Sequence, residues 1–250
     1  MSDQSPKPFQ FSVLKLLVFV GVLCVVCGVL ALVMQGVREA REAVRSRVCV
    51  NNLKQIGYVL NKYHDEYGCF PAPFSVDANG KPLHSWRVAI EPLVEDTTFH
   101  ATFDYSLPWN HPKNLKVSTP FARHFACPSA GNPAGSGFTN YVMIVGQKRR
   151  APSGKEVSFD DHPDAIIVVE IVNSDIYWTE PRELNFDEMS FQINDHSKPS
   201  ISSHHHAHRA LALYADGSVH VLDESTDPDE LNKLLTENLE DASGRGKRQP

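Results

Sequence analysis

The sequence predicts an α+β protein: one long N-terminal helix followed by a globular head rich in antiparallel sheet. Three observations predict it. Residues 16–34 form an uncharged apolar run of nineteen residues. An apolar stripe at helical spacing then continues to Tyr67 with no proline between Pro8 and Pro71. Beyond Pro71 the pattern changes to short apolar runs between turn residues, closing on an Asp-Gly hairpin signal. The chain has 250 residues, 42% of them hydrophobic, which suits one mid-sized domain with length left over. Twenty-four Lys and Arg against thirty Asp and Glu leave a net charge of −6. A surface that tracks phosphates needs a basic excess, so no nucleic-acid partner is expected.

The elements follow in order. Residues 1–12 form an N-terminal tail and residues 13–35 a transmembrane helix. At 1.5 Å per residue the uncharged run spans roughly 30 Å, the thickness of a bilayer core. A secretory signal peptide is the competing reading, with Val29-Leu30-Ala31 as a weak cleavage site, but its apolar region is normally about 7–15 residues. Neither Leu23 before Cys24 nor Val26 before Cys27 suits a lipoprotein signal. After Met34 the stripe runs through Val37, Ala40, Val44, Val48, Leu53, Ile56, Leu60, Tyr63 and Tyr67, with Arg38, Glu39, Arg41, Glu42, Arg45 and Arg47 on the opposite face as a solvated surface. Gly68 and Pro71 end this helix. Residues 36–240 form the globular domain. Within it Asp77-Ala78-Asn79-Gly80 reads as a turn, and residues 139–145 and 165–172 read as buried strands. Residues 211–215 and 218–222 flank Asp216-Gly217, expected as a two-residue type I′ turn with positive φ at both positions. Residues 229–239 form a short amphipathic helix, and residues 241–250 a basic, disordered tail.

The motifs then carry a resemblance. Cys49-Val50-Asn51-Asn52-Leu53-Lys54-Gln55-Ile56-Gly57, with Tyr63-His64 and Gly68-Cys69-Phe70-Pro71 after it, resembles the opening of the pilin-like domain-of-unknown-function family 1559. So do Ser85-Trp86-Arg87, Pro108-Trp109-Asn110, Phe125-Ala126-Cys127-Pro128-Ser129, Thr139-Asn140-Tyr141, Ile167-Val168-Val169-Glu170 and Trp178, in that order. The series closes on His206 and Asp216-Gly217, the spacing of the prepilin-associated His-x9-Asp-Gly signature. The resemblance covers residues 36–223 and implies a pilin-like fold, the helix packing on the sheet of the head. It marks Cys49, Asn51, Asn52, Leu53, Lys54, Cys127, His206, Asp216 and Gly217 as motif residues. Typical members carry a Gly-Phe-Thr-Leu-x-Glu cleavage stretch before the apolar helix. Here no glycine precedes Phe9 or Phe11, and Lys15 stands near the place of the glutamate, so neither prepilin processing nor filament assembly is expected.

Of the five cysteines, Cys24 and Cys27 lie in the apolar run and act as small apolar residues. Cys49, Cys69 and Cys127 follow, an odd number. The resemblance implies Cys49–Cys127 as the pair if a disulfide forms, with free thiols in a reducing compartment as the alternative. The one constellation resembling metal chemistry is His204, His206 and His208. On a strand these would share a face, and three imidazoles could bind zinc with an open fourth position. Such a site normally also has a carboxylate base and outer partners, and His-rich runs precede the hairpin in many relatives, so no metal and no cofactor are expected. Glu170 is read as a paired structural carboxylate, Arg87 as a packing and salt-bridge residue, and Trp86, Trp109 and Trp178 as core rather than a carbohydrate platform. No nucleophile elbow, phosphate loop or dinucleotide motif is present.

The expected function is therefore non-enzymatic: a pilin-like envelope protein anchored in the lipid bilayer through residues 13–35, with protein partners and possible self-association. The alternatives are a pseudopilin-type component of a type II secretion or type IV pilus system, and a metal-dependent hydrolase using the 204–208 histidines. Lys7 and Lys15 precede the anchor and four arginines follow it, a count that places the head in the cytoplasm. The relatives break that count, and on the resemblance the single-pass protein carries its head on the extracytoplasmic side.

Overall fold

The computed structural model describes residues 13–94, 97–130, 136–146, 164–172, 174–205 and 209–245. Helix α1 runs Val13–Tyr67, 55 residues. The chain divides into two compact units, Met1–Val44 and Arg45–Pro250. In the first, residues 16–34 of the helix are apolar all round, with a mean hydropathy of 3.2 in the most apolar window, none of which is buried. A helix of that composition with no protein against it is long and apolar enough to cross a membrane. Residues 1–12 lie outside the described residues.

In the second unit, α1 buries Cys49, Leu53, Ile56, Gly57, Val59 and Leu60. The apolar stripe is therefore covered only from Cys49 onward. Val37, Ala40, Val44 and Val48, expected on the same face, are exposed, and Tyr67 is exposed at the far end. The helix stops where Gly68 N–H donates to His64 O at 2.7 Å.

A short hairpin follows, β1 (Phe74–Val76) against β2 (Pro82–Ser85). Its turn is held by Asp77 Oδ1, which accepts from Asn79 N and Lys81 N at 2.8 and 2.9 Å. Then come α2 (Trp86–Ile90), a 3-10 turn (Glu91–Leu93), α3 (Thr97–Thr102), α4 (Pro112–Ser118) and a second 3-10 turn (Thr119–Phe125). Ser85 caps α2 by accepting from Arg87 N, and His111 caps α4, where Pro112 opens the helix.

The main sheet has the order β5-β3-β4-β6-β7, from β3 (Tyr141–Val145), β4 (Ile166–Glu170), β5 (Leu184–Asn185), β6 (Arg209–Tyr214) and β7 (Val219–Asp223). Every pairing is antiparallel except β3 with β5. The α+β expectation is met. Central strand β4 is buried throughout because both sheet faces are covered. A bulge at Ile167, where Ile166 pairs Tyr214 and Val168 pairs Leu213, puts Ile167 and Val168 on the same side. That side packs against α1 and an aromatic layer in which Trp178 stacks on Phe125 at 5.3 Å and Trp86 meets Phe125 edge-on at 6.2 Å. Trp86 and Trp178 are core, while Trp109 is half-buried and stacks on Tyr177. The other face is covered by Phe186, Met189, Ile193 and Ile201 and by Leu231 and Leu235 of α5. Helix α5 runs Pro228–Arg245, beyond the expected end at 239, so residues 241–245 are helical rather than tail. Residues 246–250 lie outside the described residues.

The β6–β7 turn differs from expectation. Gly217 N donates to Tyr214 O at 3.0 Å and Tyr214 N to Ser218 O at 2.9 Å, and Gly217 has φ +84° while Asp216 is not at positive φ. This is a three-residue loop, a type I turn closed by a left-handed glycine bulge. One positive-φ position is enough here because the bulge restores the twist that a two-residue loop would need both positions to supply.

A buried cluster of two thiols, an imidazole and a carboxylate

Four segments distant in sequence converge beneath α1. Cys49 comes from the helix, Cys127 from the loop after the second 3-10 turn, Glu170 from the end of β4, and His205 from the bend before β6. One ligating atom from each lies within 4.8 Å of all the others, and all four residues are buried. Cys49 Sγ is 3.0 Å from Cys127 Sγ. His205 Nε2 is 2.9 Å from Cys49 Sγ, 3.1 Å from Cys127 Sγ and 3.9 Å from Glu170 Oε1.

Each member is held by its neighbours. Helical spacing from Leu53 and Ile56 turns Cys49 inward. The Cys127 loop is pinned twice: Asn140 Oδ1 accepts from Cys127 N at 2.9 Å, and Asn52 Nδ2 donates to Ala126 O at 3.2 Å. Thr139 Oγ1 donates to Phe125 O at 2.8 Å on the same loop. Glu170 lies two residues beyond Val168 on the helix-facing side of β4. Ser202 N donates to Glu170 O, and Ser203 Oγ accepts from His205 N, fixing the approach of the imidazole.

The electrostatics are unusual for a core. Glu170 is fully buried, and among the described residues neither carboxylate oxygen receives a hydrogen bond of normal geometry. Burial pushes its carboxyl up, with His205 as the main opposing influence. The Cys49 contact and burial push the Cys127 thiol up. Burial, with Cys49 and Glu170 beside it, keeps the Tyr141 hydroxyl protonated. The paired carboxylate expected at Glu170 thus has His205 at ion-pair rather than hydrogen-bond distance, with weaker support from the Ser203 and Cys127 side chains and the Leu211 backbone. A buried carboxylate is costly unless it is paired, protonated or bound to a metal, and a metal would satisfy this one together with the three donors beside it.

The expected residues are distributed as follows. Cys49 and Cys127 come together as unbonded thiols, and Cys24, Cys27 and Cys69 are free and exposed. Asn52 and Leu53 serve the loop contact and the core, while Asn51 and Lys54 are exposed. Asp216 Oδ1 accepts from Ser218 N at 2.8 Å, far in role from any reactive group. His204 and His205 precede the strand, which begins at Arg209, so the even-numbered alternation assumed for 204, 206 and 208 does not apply at 204; His206 and His208 lie outside the described residues. The histidine that joins the cluster is His205, which the alternation had turned outward. A signal for it existed: two motif cysteines, a motif glutamate and a histidine run are all donors, but their proximity is tertiary.

Elsewhere in the head, Arg87 is fully buried and forms a two-pronged ion pair with Glu183, at 2.8 and 3.0 Å, while its Nε donates to Tyr141 O. Arg87 also lies over the Trp86 ring at 5.0 Å. Glu183 additionally accepts from Met143 N at 2.7 Å, and burial pushes its carboxyl up to about 7 against the pull of Arg87. This tie locks α2 to β3, as the reading of Arg87 anticipated.

Fold and sequence together define an α+β protein with an N-terminal helix able to cross a membrane. The chain belongs to the family described as Protein of unknown function (DUF1559), whose model matches residues 38–166. No curated protein and no solved structure matches it.

Proposed function

We propose that the protein is a single-pass, pilin-like envelope protein that makes structural or protein-protein contacts and catalyses no reaction. The observation that carries this reading is helix α1, which runs without interruption from an apolar segment with no protein cover into the core of an α+β domain. A signal peptide has no need to share a helix with the domain it exports, whereas an anchor that presents a domain does. The donor cluster fits the same reading: its four side chains are buried. The resemblance supports an extracytoplasmic head. Lys15 in place of the expected glutamate favours a stationary anchor over a pseudopilin subunit. Chemical cross-linking in intact cells followed by purification from native membranes tests the partner. Specific envelope proteins, or a second copy, cross-linked to the head are expected. Stoichiometric recovery with a secretion ATPase or pilus platform would instead establish the pseudopilin reading. Protease added to intact spheroplasts should remove the head, and full protection until lysis would place it in the cytoplasm.

A further inference from the structure

We propose that Cys49, Cys127, Glu170 and His205 form a closed, four-ligand site for zinc(II), independent of which side of the membrane the head occupies. The donor set is two sulfurs, one imidazole nitrogen and one carboxylate oxygen, all converging on one point. That mixture suits a borderline-soft, tetrahedral ion; copper(I) would leave the carboxylate idle, and magnesium or calcium would not take the thiolates. All four positions are supplied by the protein and all are buried, the arrangement of a structural rather than a catalytic zinc.

Two sulfurs bound to one tetrahedral zinc at 2.3 Å each stand about 3.7 Å apart. The observed separation is 3.0 Å. Loading therefore requires the sulfurs to part by about 0.7 Å, within reach of small side-chain rotations. A disulfide would require them to close by about 1 Å instead. Distance alone does not choose between these, but Glu170 does. A disulfide consumes both sulfurs, Cys127 among the groups that support Glu170, and leaves a fully buried carboxylate that receives no hydrogen bond of normal geometry among the described residues. Zinc uses that oxygen. On binding, Zn2+ takes lone pairs from both sulfurs, the His205 nitrogen and a Glu170 oxygen, the two thiol protons and any proton on the Glu170 carboxyl leave to solvent, and no electron is transferred.

The residues that hold the donors in place agree. Asn140 and Asn52 fix the Cys127 loop, Ser203 fixes the His205 backbone, and Asn140 Nδ2 also donates to Ile171 O at 3.0 Å, tying that loop to the end of β4. The words that carried the family resemblance at 49–52, 125–127, 139–141 and 167–170 thus meet at one point. Asn140 and Asn52 hold the ligands and do not themselves offer a coordinating atom.

The test uses the full chain, purified without a tag in detergent. Stoichiometric zinc is expected, with X-ray absorption showing two sulfur and two lighter ligands at the distances of a tetrahedral site. Cobalt(II) exchanged into the protein should show thiolate-to-cobalt charge-transfer absorption, lost in Cys127→Ser and His205→Ala. Because those variants could unfold, the wild-type absorption spectra decide by themselves. His204→Ala combined with His206→Ala and His208→Ala should leave the cobalt spectrum unchanged. Zinc lost in that triple variant but bound only by nitrogen and oxygen in the wild type would overturn the proposal. So would a Cys49–Cys127 disulfide in non-reducing peptide maps of metal-free protein taken from membranes.

Discussion

Gly217 shows how one residue can answer to two constraints. Its φ of +84° belongs to the left-handed region, and a Cβ there would also meet Asn61 Nδ2 at 3.1 Å. Directly opposite, Gly57 of α1 approaches so closely that a Cβ would stand 2.8 Å from Leu213 Cδ1 and 3.2 Å from Gly217 Cα. The helix crosses the hairpin this closely because both residues lack side chains. Gly217→Ala is expected to lower stability by about 1 kcal/mol or more. Asp216→Asn keeps the oxygen that accepts from Ser218 N and should melt within about 0.5 kcal/mol of wild type. Thermal melts of the full chain in detergent check both. A drop for Asp216→Asn as large as for Gly217→Ala would show that the carboxylate does more than close a turn.

At the scale of elements, two ion pairs illustrate how burial sets their worth. Arg87 and Glu183 are both buried, and the pair ties α2 to β3. Arg87→Met removes one charge and strands the other, so a loss of about 3–5 kcal/mol is expected in denaturant unfolding. Adding Glu183→Gln to that variant should recover part of the loss, because the stranded charge is then gone. An unchanged double variant would mean that packing over Trp86, not charge, is what Arg87 supplies. Lys113 and Asp104, by contrast, sit at the surface where α4 begins, 2.8 Å apart. Hydrogen bonds from Lys113, then Ser106, hold the Asp104 carboxyl down at about 2 against an ordinary 3.8. The folded state therefore binds this proton less tightly than the unfolded one. The stability it adds is present above 3.8 and is lost as the pH falls toward about 2. The stability difference between wild type and Asp104→Asn should shrink across that window, and carboxyl NMR should place the midpoint near its lower end.

For the whole molecule, the two units answer to different solvents. Residues 13–44 carry exposed apolar side chains that water does not favour, and residues 45–250 bury their own core on both faces of one sheet. Alkaline carbonate should leave the full chain in the membrane pellet, since a spanning helix is held by apolar burial rather than by charge. A chain lacking residues 1–35 should move to the supernatant. Full-length protein released by carbonate would show that the apolar helix does not span the bilayer.

The sequence by itself determined what is local. Apolar run length, helical spacing to Tyr67 and the β-rich runs at 139–145 and 165–172 each depend on a few neighbouring residues, and each is found in the structure. Helical spacing also continues through Val37, Val44 and Val48, but whether a stripe is covered depends on what faces it, and cover begins only at Cys49. The short strands at 74–76, 82–85 and 184–185 escaped because two to four residues carry too little periodicity to stand out from loop. The resemblance already paired Cys49 with Cys127, but that Glu170 and His205 join them was decided by tertiary structure. Cys49 and Cys127 are 78 positions apart and Cys49 and His205 156, so nothing in local pattern could report that they share one point. The inward turn of His205 depends on a bend pinned by Ser203 and on Asn194, whose side chain accepts from Ser203 N, rather than on strand alternation. Coordination geometry is a property of chain crossings: the fold brings these donors together, while the sequence only supplies them.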